Sequence, residues 1–539
     1  NLLSYFLNEE ETSLDKRLNE RNNLIREYKR AEGEQAKELK GKLNELDEKI
    51  NDLLNANLYR EFREKKIKIS KEEFLKLKPF HWGFEFYEVF DAAKPEEERG
   101  FDVVIGNPPY GNILKEEERV WINNTYPFKE HFDIYPTFIE RCFFSLKKSG
   151  LLGYIVPSSW ETGVRYSKFR EYLLERYTLA QTINMPFDVF QDAYVDNCIS
   201  IFKNILPEDT DKILIHSYHK KSKIDNLNRL KITDKIRYQL ITSDGNKRIF
   251  PNPGIYKLIE YIGKNCNYDP LGNITDSTIG ILASKYKFSE KKINEYHLPY
   301  IEGRCDRYIC QLEFKNYLDF KQHFNNEQYL DYYLSKGKIV IRRIVNRQDR
   351  IMCSFLTKEG VVRKDLYIFT MLSKEVNPIY LLVLLNSKLI SYFYVSKSTI
   401  ALKDDFRQTT LGELRELPII KISSSEQAPF IAFSKYLLFL NETEERRKTE
   451  KELIEFIDKQ VIDSLVYELY FKEKIEEDGL KTNLLGVVEP YLKDIEGLET
   501  EEEKLKVIKE VVEKIKGDKK VEREIEKIKG HEWVRIVEG

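Results

Sequence analysis

The sequence contains no apolar run long enough to cross a bilayer, and its longest, around Leu381–Leu385, is short. The opening stretch Asn1-Leu-Leu-Ser-Tyr-Phe lacks the basic region and small-residue cleavage site of a secretory signal. These absences predict a cytoplasmic protein with no membrane partner. Also absent is a CxxC pair. Six cysteines are scattered along 539 residues, and Cys305 and Cys310 lack the second pair that a zinc site needs. His216 and His219 have ligand spacing but no acidic or sulfur-bearing companion nearby, so no metal site is expected. The first residue is not Met, as in a fragment of a longer polypeptide.

A large net charge is lacking too, at −2 overall, but the charges are unevenly placed. Residues 211–410 carry 34 Lys and Arg against 21 Asp and Glu, whereas the remainder is acidic by 15. A basic middle between acidic ends is the footprint of a phosphate-binding segment, or else a lysine-rich solvated surface.

The length calls for three or four domains, and the patterning divides at 1–62, 63–205, 206–427 and 428–539. Residues 13–58 predict a helical hairpin broken at Glu32-Gly33-Glu34, with Leu39, Leu43, Leu46, Ile50 and Leu53 in alternating steps of four and three. From 101 to 203, apolar strands (Phe101–Gly106, Leu151–Val156, Ala180–Asn184, Cys198–Phe202) alternate with helices at Tyr135–Lys148 and Tyr166–Tyr177. That alternation predicts an α/β fold with a parallel sheet and crossover helices, the second half of a doubly wound sheet. Residues 206–425 are mixed, with strand-like pieces at Lys338–Ile344 and Arg350–Phe355. Beyond 428 the chain returns to helix, with Thr500 and Glu503 at capping-box spacing.

Chemistry is concentrated in Phe101-Asp-Val-Val-Ile-Gly-Asn-Pro-Pro-Tyr110, where an apolar strand runs directly into Asn107-Pro108-Pro109-Tyr110. This tetrapeptide stands at a strand's carboxyl end, where open α/β sheets hold ligands. The simple alternative is a turn with Tyr110 covering the sheet edge. The residue types nevertheless suit one task well. Adenine's exocyclic amine is a poor nucleophile because its lone pair is delocalised into the ring. Two acceptors, the Asn107 side-chain oxygen and the Pro108 carbonyl, would take its hydrogens and favour a pyramidal nitrogen. The prolines stiffen the segment, and Tyr110 offers a face for an extruded base.

Residues 80–205 resemble the γ-class N6-adenine DNA methyltransferases, especially those fused into type IIG restriction–modification enzymes. The likeness extends from Asn107–Tyr110 to Phe80-His-Trp-Gly-Phe-Glu-Phe-Tyr-Glu-Val-Phe90, Asp133-Ile-Tyr-Pro-Thr-Phe138, Gly150-Leu-Leu-Gly-Tyr-Ile-Val-Pro-Ser-Ser-Trp160 and Val189-Phe-Gln-Asp-Ala-Tyr-Val195. It implies a partial Rossmann-like methyltransferase sheet, an α+β target-recognition domain and helical terminal segments. It also implies that Phe190 stacks on the flipped base opposite Tyr110, and that Asn107, Pro109 and Phe138 line the S-adenosylmethionine pocket. Asn107, Pro108 and Tyr110 would be the catalytic residues. The family's glycine turn and ribose-holding carboxylate have no match before residue 100, so the cofactor pocket is expected to be incomplete. An upstream methyltransferase or nuclease part is the partner this implies, with Mg only if a nuclease is present.

The resemblance continues more weakly through Ile279-Gly-Ile-Leu-Ala-Ser-Lys-Tyr286, Tyr380–Leu389, Leu414–Ile419 and Ile462–Tyr470. Lys338–Arg350 is the leading candidate for DNA contact there. Lys285, Arg304, Arg307, Arg342, Arg343, Arg347 and Arg350 are the candidate contacts to double-stranded DNA, since arginine suits guanine edges and phosphates alike. For each one a surface ion pair is the competing reading. The expected function is site-specific adenine methylation of DNA in a restriction–modification or phage-defence system. The alternative is a non-catalytic DNA-binding specificity module.

Overall fold

The computed structural model describes residues 9–538 apart from 92–93, 127–132, 187–188, 191–194, 219–233 and 399–407. The chain forms two compact units. One comprises Asn1–Trp160, Arg165–Leu214 and Arg237–Lys247, the other Glu161–Val164, Ile215–Ile236 and Arg248–Gly539.

The first unit opens with the expected hairpin, α1 (Glu9–Tyr28) packed on α2 (Gly33–Glu64). Their seam buries Leu14 and Ile50 with Leu18, Leu46 and Leu54 beside them, and Phe84 closes it. Arg21 pairs with Asp47 at 2.5 Å and lies over the Phe84 ring. This hairpin is followed by β1 (Phe101–Gly106), α3 (Tyr135–Phe143), β2 (Leu146–Pro157), α4 (Ser167–Leu174), β3 (Thr178–Asn184) and β4 (Asn197–Lys203). With β5 (Lys212–Ser217) and β6 (Asp234–Arg237) they form a six-stranded sheet in the order β1-β2-β4-β3-β5-β6.

Two expectations are corrected here. The helix predicted to reach Lys148 stops at Phe143, because the residues from Leu146 onward pair with β1, and the ladder overrides the local pattern. The sheet is also mixed. β1 and β2 are parallel, but β4 runs antiparallel to both β2 and β3.

In the second unit, β7 (Thr275–Ile279), β10 (Lys338–Arg342), β11 (Cys353–Leu356) and β12 (Leu366–Met371) make an antiparallel sheet in the order β11-β10-β12-β7. Between β7 and β10 in the chain lies the long hairpin of β8 (His297–Asp306) and β9 (Ile309–Asp319). Hairpin and sheet share a core containing Leu298, Leu312, Leu318, Tyr333, Val340 and Ile368. Strand β10 ends at Arg342 and β11 begins only at Cys353, so the expected strands are shorter and the arginine-rich stretch between them is irregular.

Helices α5 (Pro378–Asn386) and α6 (Lys388–Lys397) are almost wholly buried, and α7 (Ser424–Leu440), α8 (Asp463–Glu477) and α9 (Glu501–Gly517) follow. Thr500 and Glu503 form the predicted capping box on α9. Among the described residues no single helix is long and apolar enough to cross a membrane.

Candidate active site

Because β1 and β2 are parallel, their carboxyl ends emerge at the same edge of the sheet. The chain leaves β1 through Gly106, where a β-carbon would stand 3.0 Å from the Tyr154 ring, a tight approach that glycine avoids. Pro108 is buried and anchors the loop, while Asn107 and Pro109 are exposed and Tyr110 is half-buried. The next residue, Gly111, has φ +94°, a conformation that side chains disfavour. The Gly111 amide donates to Asp133 at 2.6 Å, and the same carboxylate accepts from the Ile134 amide at 2.8 Å. Asp133 thus ties the end of the Asn-Pro-Pro-Tyr loop to the start of α3. Burial raises its pKa, and the backbone amides it accepts from oppose that rise.

The Tyr110 hydroxyl lies 2.8 Å from Asn107 Oδ1 and 3.0 Å from the carbonyl oxygen of Ile155 on β2. With one proton and two acceptors within reach, it bridges the ends of the two parallel strands. Burial pushes its pKa up to about 12, with Cys198 and Asp133 adding to the shift, so it stays a donor through neutral pH. Tyr110 meets the fully buried Tyr135 edge to face at 6.4 Å. Behind them, Trp160 donates to the Cys198 sulfur at 3.3 Å, and the buried Arg170 donates to the Trp160 carbonyl at 2.8 Å. The loop therefore rests on a rigid support.

Phe138 is exposed on α3. Phe190 is half-buried in a bend, and the neighbouring residues 187–188 and 191–194 lie outside the described residues, as does His219. The contributions of Asp133 and Ile155 were not assigned from sequence. Asp133, just ahead of a Pro-containing first helical turn, carried a readable signal. The Ile155 carbonyl carried none.

The second unit corrects two of the DNA-contact candidates. Arg350 is buried and pairs with Asp463 through both guanidinium nitrogens, while also donating to the Asn386 carbonyl at 3.3 Å. Arg307 donates to Asp458 at 2.7 Å and to the same Asn386 carbonyl at 2.9 Å. Both guanidiniums are internal ties, because charges held inside a fold require partners. Lys338, at the start of the favoured stretch, is also buried, and its ammonium donates to the Tyr333 carbonyl. Lys285, Arg304 and Arg347 are exposed, and Arg342 is half-buried. Arg343 is half-buried as well, donating to the Lys364 carbonyl at 3.1 Å with its guanidinium over Tyr367. The unit also holds a cavity of about 460 Å³ lined by Tyr268, Asn273, Phe393, Lys397, Arg415 and Glu416, among others. Among the described residues no cluster of three metal-ligating side chains occurs.

An α/β unit with an Asn-Pro-Pro-Tyr loop beside a parallel strand pair, followed in the chain by a unit that contains an antiparallel sheet, has the layout of a methylase with an attached specificity region. Residues 7–190 match the family described as Eco57I restriction-modification methylase, and 298–419 match the TaqI-like C-terminal specificity domain. The chain thus carries an Eco57I-like methylase region and a TaqI-like specificity region.

A relative from Methanocaldococcus jannaschii, named as a type II restriction enzyme and methyltransferase, is 44% identical over 485 residues. The match takes in 86% of this chain and 40% of that protein. The type II restriction enzyme and methyltransferase Eco57I of Escherichia coli is 29% identical over 149 residues, covering 23% of this chain and 15% of the enzyme. Among solved structures, the type IIL enzyme MmeI in complex with DNA overlays with TM-score 0.40 and 10% identity. That overlay covers 78% of this chain and 58% of MmeI, too distant a likeness to carry an argument. The chain thus spans well under two thirds of the length of these relatives.

Proposed function

We propose that this chain carries the base-receiving side of a site-specific DNA methyltransferase acting on the exocyclic N6 of adenine. S-adenosylmethionine is the donor in this reading. The observation that carries it is the exposed Asn107, held at the end of β1 with Tyr110 fixed beside it by hydrogen bonds.

In this reading Asn107 Oδ1 and the Pro108 carbonyl accept the two amine hydrogens, which concentrates the lone pair on nitrogen. Tyr110 and Phe190 hold the extruded base between their rings, against the few kcal/mol that flipping costs. The amine proton is lost to solvent after transfer, so no carboxylate or imidazole beside the loop is required. Pro109 and Phe138 present exposed apolar surface suited to one side of the cofactor. The cofactor, when bound, supplies a methyl group on a positively charged sulfur. The segments 1–62, 63–205, 206–427 and 428–539 are proposed as the structural, catalytic, recognition and packing parts. Lys285, Arg304, Arg342, Arg343 and Arg347 remain the proposed contacts to double-stranded DNA.

The test uses DNA, methyl-labelled S-adenosylmethionine and an enzyme complete in its donor side. After digestion to nucleosides, the label is expected in N6-methyladenine. Label in a methylated cytosine would exclude the assignment. Sequence-specific DNA binding with no transfer would favour the non-catalytic specificity module instead.

A further inference from the structure

Two loops of the second unit share one arrangement. In each, an exposed arginine stands three residues ahead of one that is tied inside the fold. Arg304 precedes Arg307 at the tip of the β8–β9 hairpin, and Arg347 precedes Arg350 in the loop from β10 to β11. The Arg347 loop is drawn tight: the Asn346 amide donates to the Arg350 carbonyl at 3.0 Å, and the Arg350 amide donates to Asn346 Oδ1 at 2.9 Å. The hairpin turns on Arg307 and Tyr308, and the Tyr308 amide donates to the Cys353 carbonyl at 3.0 Å. Where the inner arginine is held therefore decides where the outer one stands.

Both inner arginines are held by one short stretch. Asp458 takes Arg307, and Asp463, five residues on, takes Arg350 through both guanidinium nitrogens. On a regular α-helix, side chains five residues apart point roughly 140° away from each other. Phe456–Ile462 is instead wound as a π-helix, whose i→i+5 repeat brings the two carboxylates towards one side. The two guanidiniums also meet at a common acceptor, the Asn386 carbonyl, while the Asn386 side chain bonds both the amide and the carbonyl of Cys353. Hairpin tip, arginine loop and π turn are thus fastened to one another. Apolar contacts would stabilise such a junction as well, because desolvation offsets most of the attraction within a buried ion pair. What charged, directional bonds add is orientation.

We propose that Asp458 and Asp463 are positioning residues for DNA sequence recognition, setting the places of Arg304 and Arg347 through Arg307 and Arg350. The proposal rests on the reading of this unit as the DNA-recognition part. Arg304 pairs with Asp306 at 3.5 Å, a long contact that a guanine edge or a phosphate could replace, and Arg347 is exposed within its loop. The π turn itself needs no contact with the duplex.

The test uses the full chain to select duplexes from a pool with a randomised centre. Wild type should enrich a defined sequence. Arg307→Met with Asp458→Leu, and Arg350→Met with Asp463→Asn, each remove one tie without stranding a buried charge. The second pair keeps an acceptor for the Lys388 amide. Both should unfold at no lower denaturant concentration than wild type and keep its salt slope. Each should nevertheless lose about tenfold or more of the ratio of specific to non-specific affinity, the scale of one base contact. Asp458→Glu, which keeps the ion pair, should retain that ratio. Folded variants with undiminished discrimination would overturn the proposal. So would an equal loss of affinity for every duplex with a reduced salt slope, the mark of lost phosphate contacts. Amide exchange of the unaltered chain gives a check that needs no variant. Tyr308 and Arg350 should exchange as slowly as β10, and rates typical of open loops would also overturn the positioning role. A wild-type chain that enriches no sequence refutes the recognition reading itself, whereas enrichment that survives in both charge-free variants refutes the positioning role alone.

Discussion

The Tyr110 hydroxyl, 2.8 Å from Asn107 Oδ1, occupies the acceptor that a target amine would need, and the Ile155 carbonyl at 3.0 Å offers it a second place. The tyrosine can release Asn107 without leaving its own proton unsatisfied. In the proposed reading, such an exchange of partners would hold the loop when empty and free Asn107 for a base.

Asn107→Ala is expected to lower kcat for methyl transfer by at least about 10²-fold, the scale for loss of one preorganised hydrogen-bonding group. DNA affinity should change little, since phosphate contacts dominate it. Single-turnover rates with a binding titration decide the matter. A rate within a few-fold of wild type would remove Asn107 from the mechanism.

Tyr110→Phe keeps the ring and loses the bridge, whereas Tyr110→Ala loses both. Stacking contributes roughly 1–3 kcal/mol per base, so Ala should weaken target-dependent binding by about that amount and Phe by much less. The 2-aminopurine signal of a flipped target base reads this difference. Because burial holds the Tyr110 hydroxyl up to about 12, activity should show no tyrosine-type limb near pH 10. Its neutral form is favoured in the fold, so the associated stability is intact below pH 10 and is lost as pH rises towards 12.

Lys338→Met is expected to stabilise the protein. Lys338 is 1% exposed, and burial pushes its pKa down to about 8. The folded state therefore releases a proton that the unfolded chain still holds, and wild-type stability rises with pH from about 8 to the ordinary lysine range near 10.4. The Tyr333 carbonyl keeps its bond from the Gly360 amide when the lysine is gone. Denaturant unfolding at pH 7 should show a gain of about 1–3 kcal/mol for Met, shrinking as pH approaches 10. A gain independent of pH would mean that the ammonium is not the cause.

Arg347 and Arg350 lie three residues apart and should behave oppositely. Arg350→Ala strands the buried Asp463 and should cost about 3–5 kcal/mol of stability. Arg347→Ala, at an exposed position, should leave stability within about 0.5 kcal/mol. Arg347→Ala should also reduce the salt slope of DNA binding by about 1. Equal effects of the two on DNA affinity, measured on folded protein, would contradict this division.

The sequence by itself determined the helical hairpin, the strand leading into Asn107–Tyr110 and the α9 cap. Each is written in local pattern: seam spacing, an apolar run ending in Asn-Pro-Pro-Tyr, Thr500 with Glu503. The tertiary structure alone decided which arginines face solvent, because the partners of Arg307 and Arg350 stand more than a hundred residues away, at Asp458 and Asp463. It also decided that β4 enters the sheet antiparallel between β2 and β3, and that Ile155 offers its carbonyl to Tyr110. Strand order and backbone acceptors depend on where distant segments meet, and no residue type encodes that locally. The exposure of one face of β1 shares this origin. Val103 and Ile105 read as core in any apolar strand, and only the packed fold shows that the described chain leaves them uncovered.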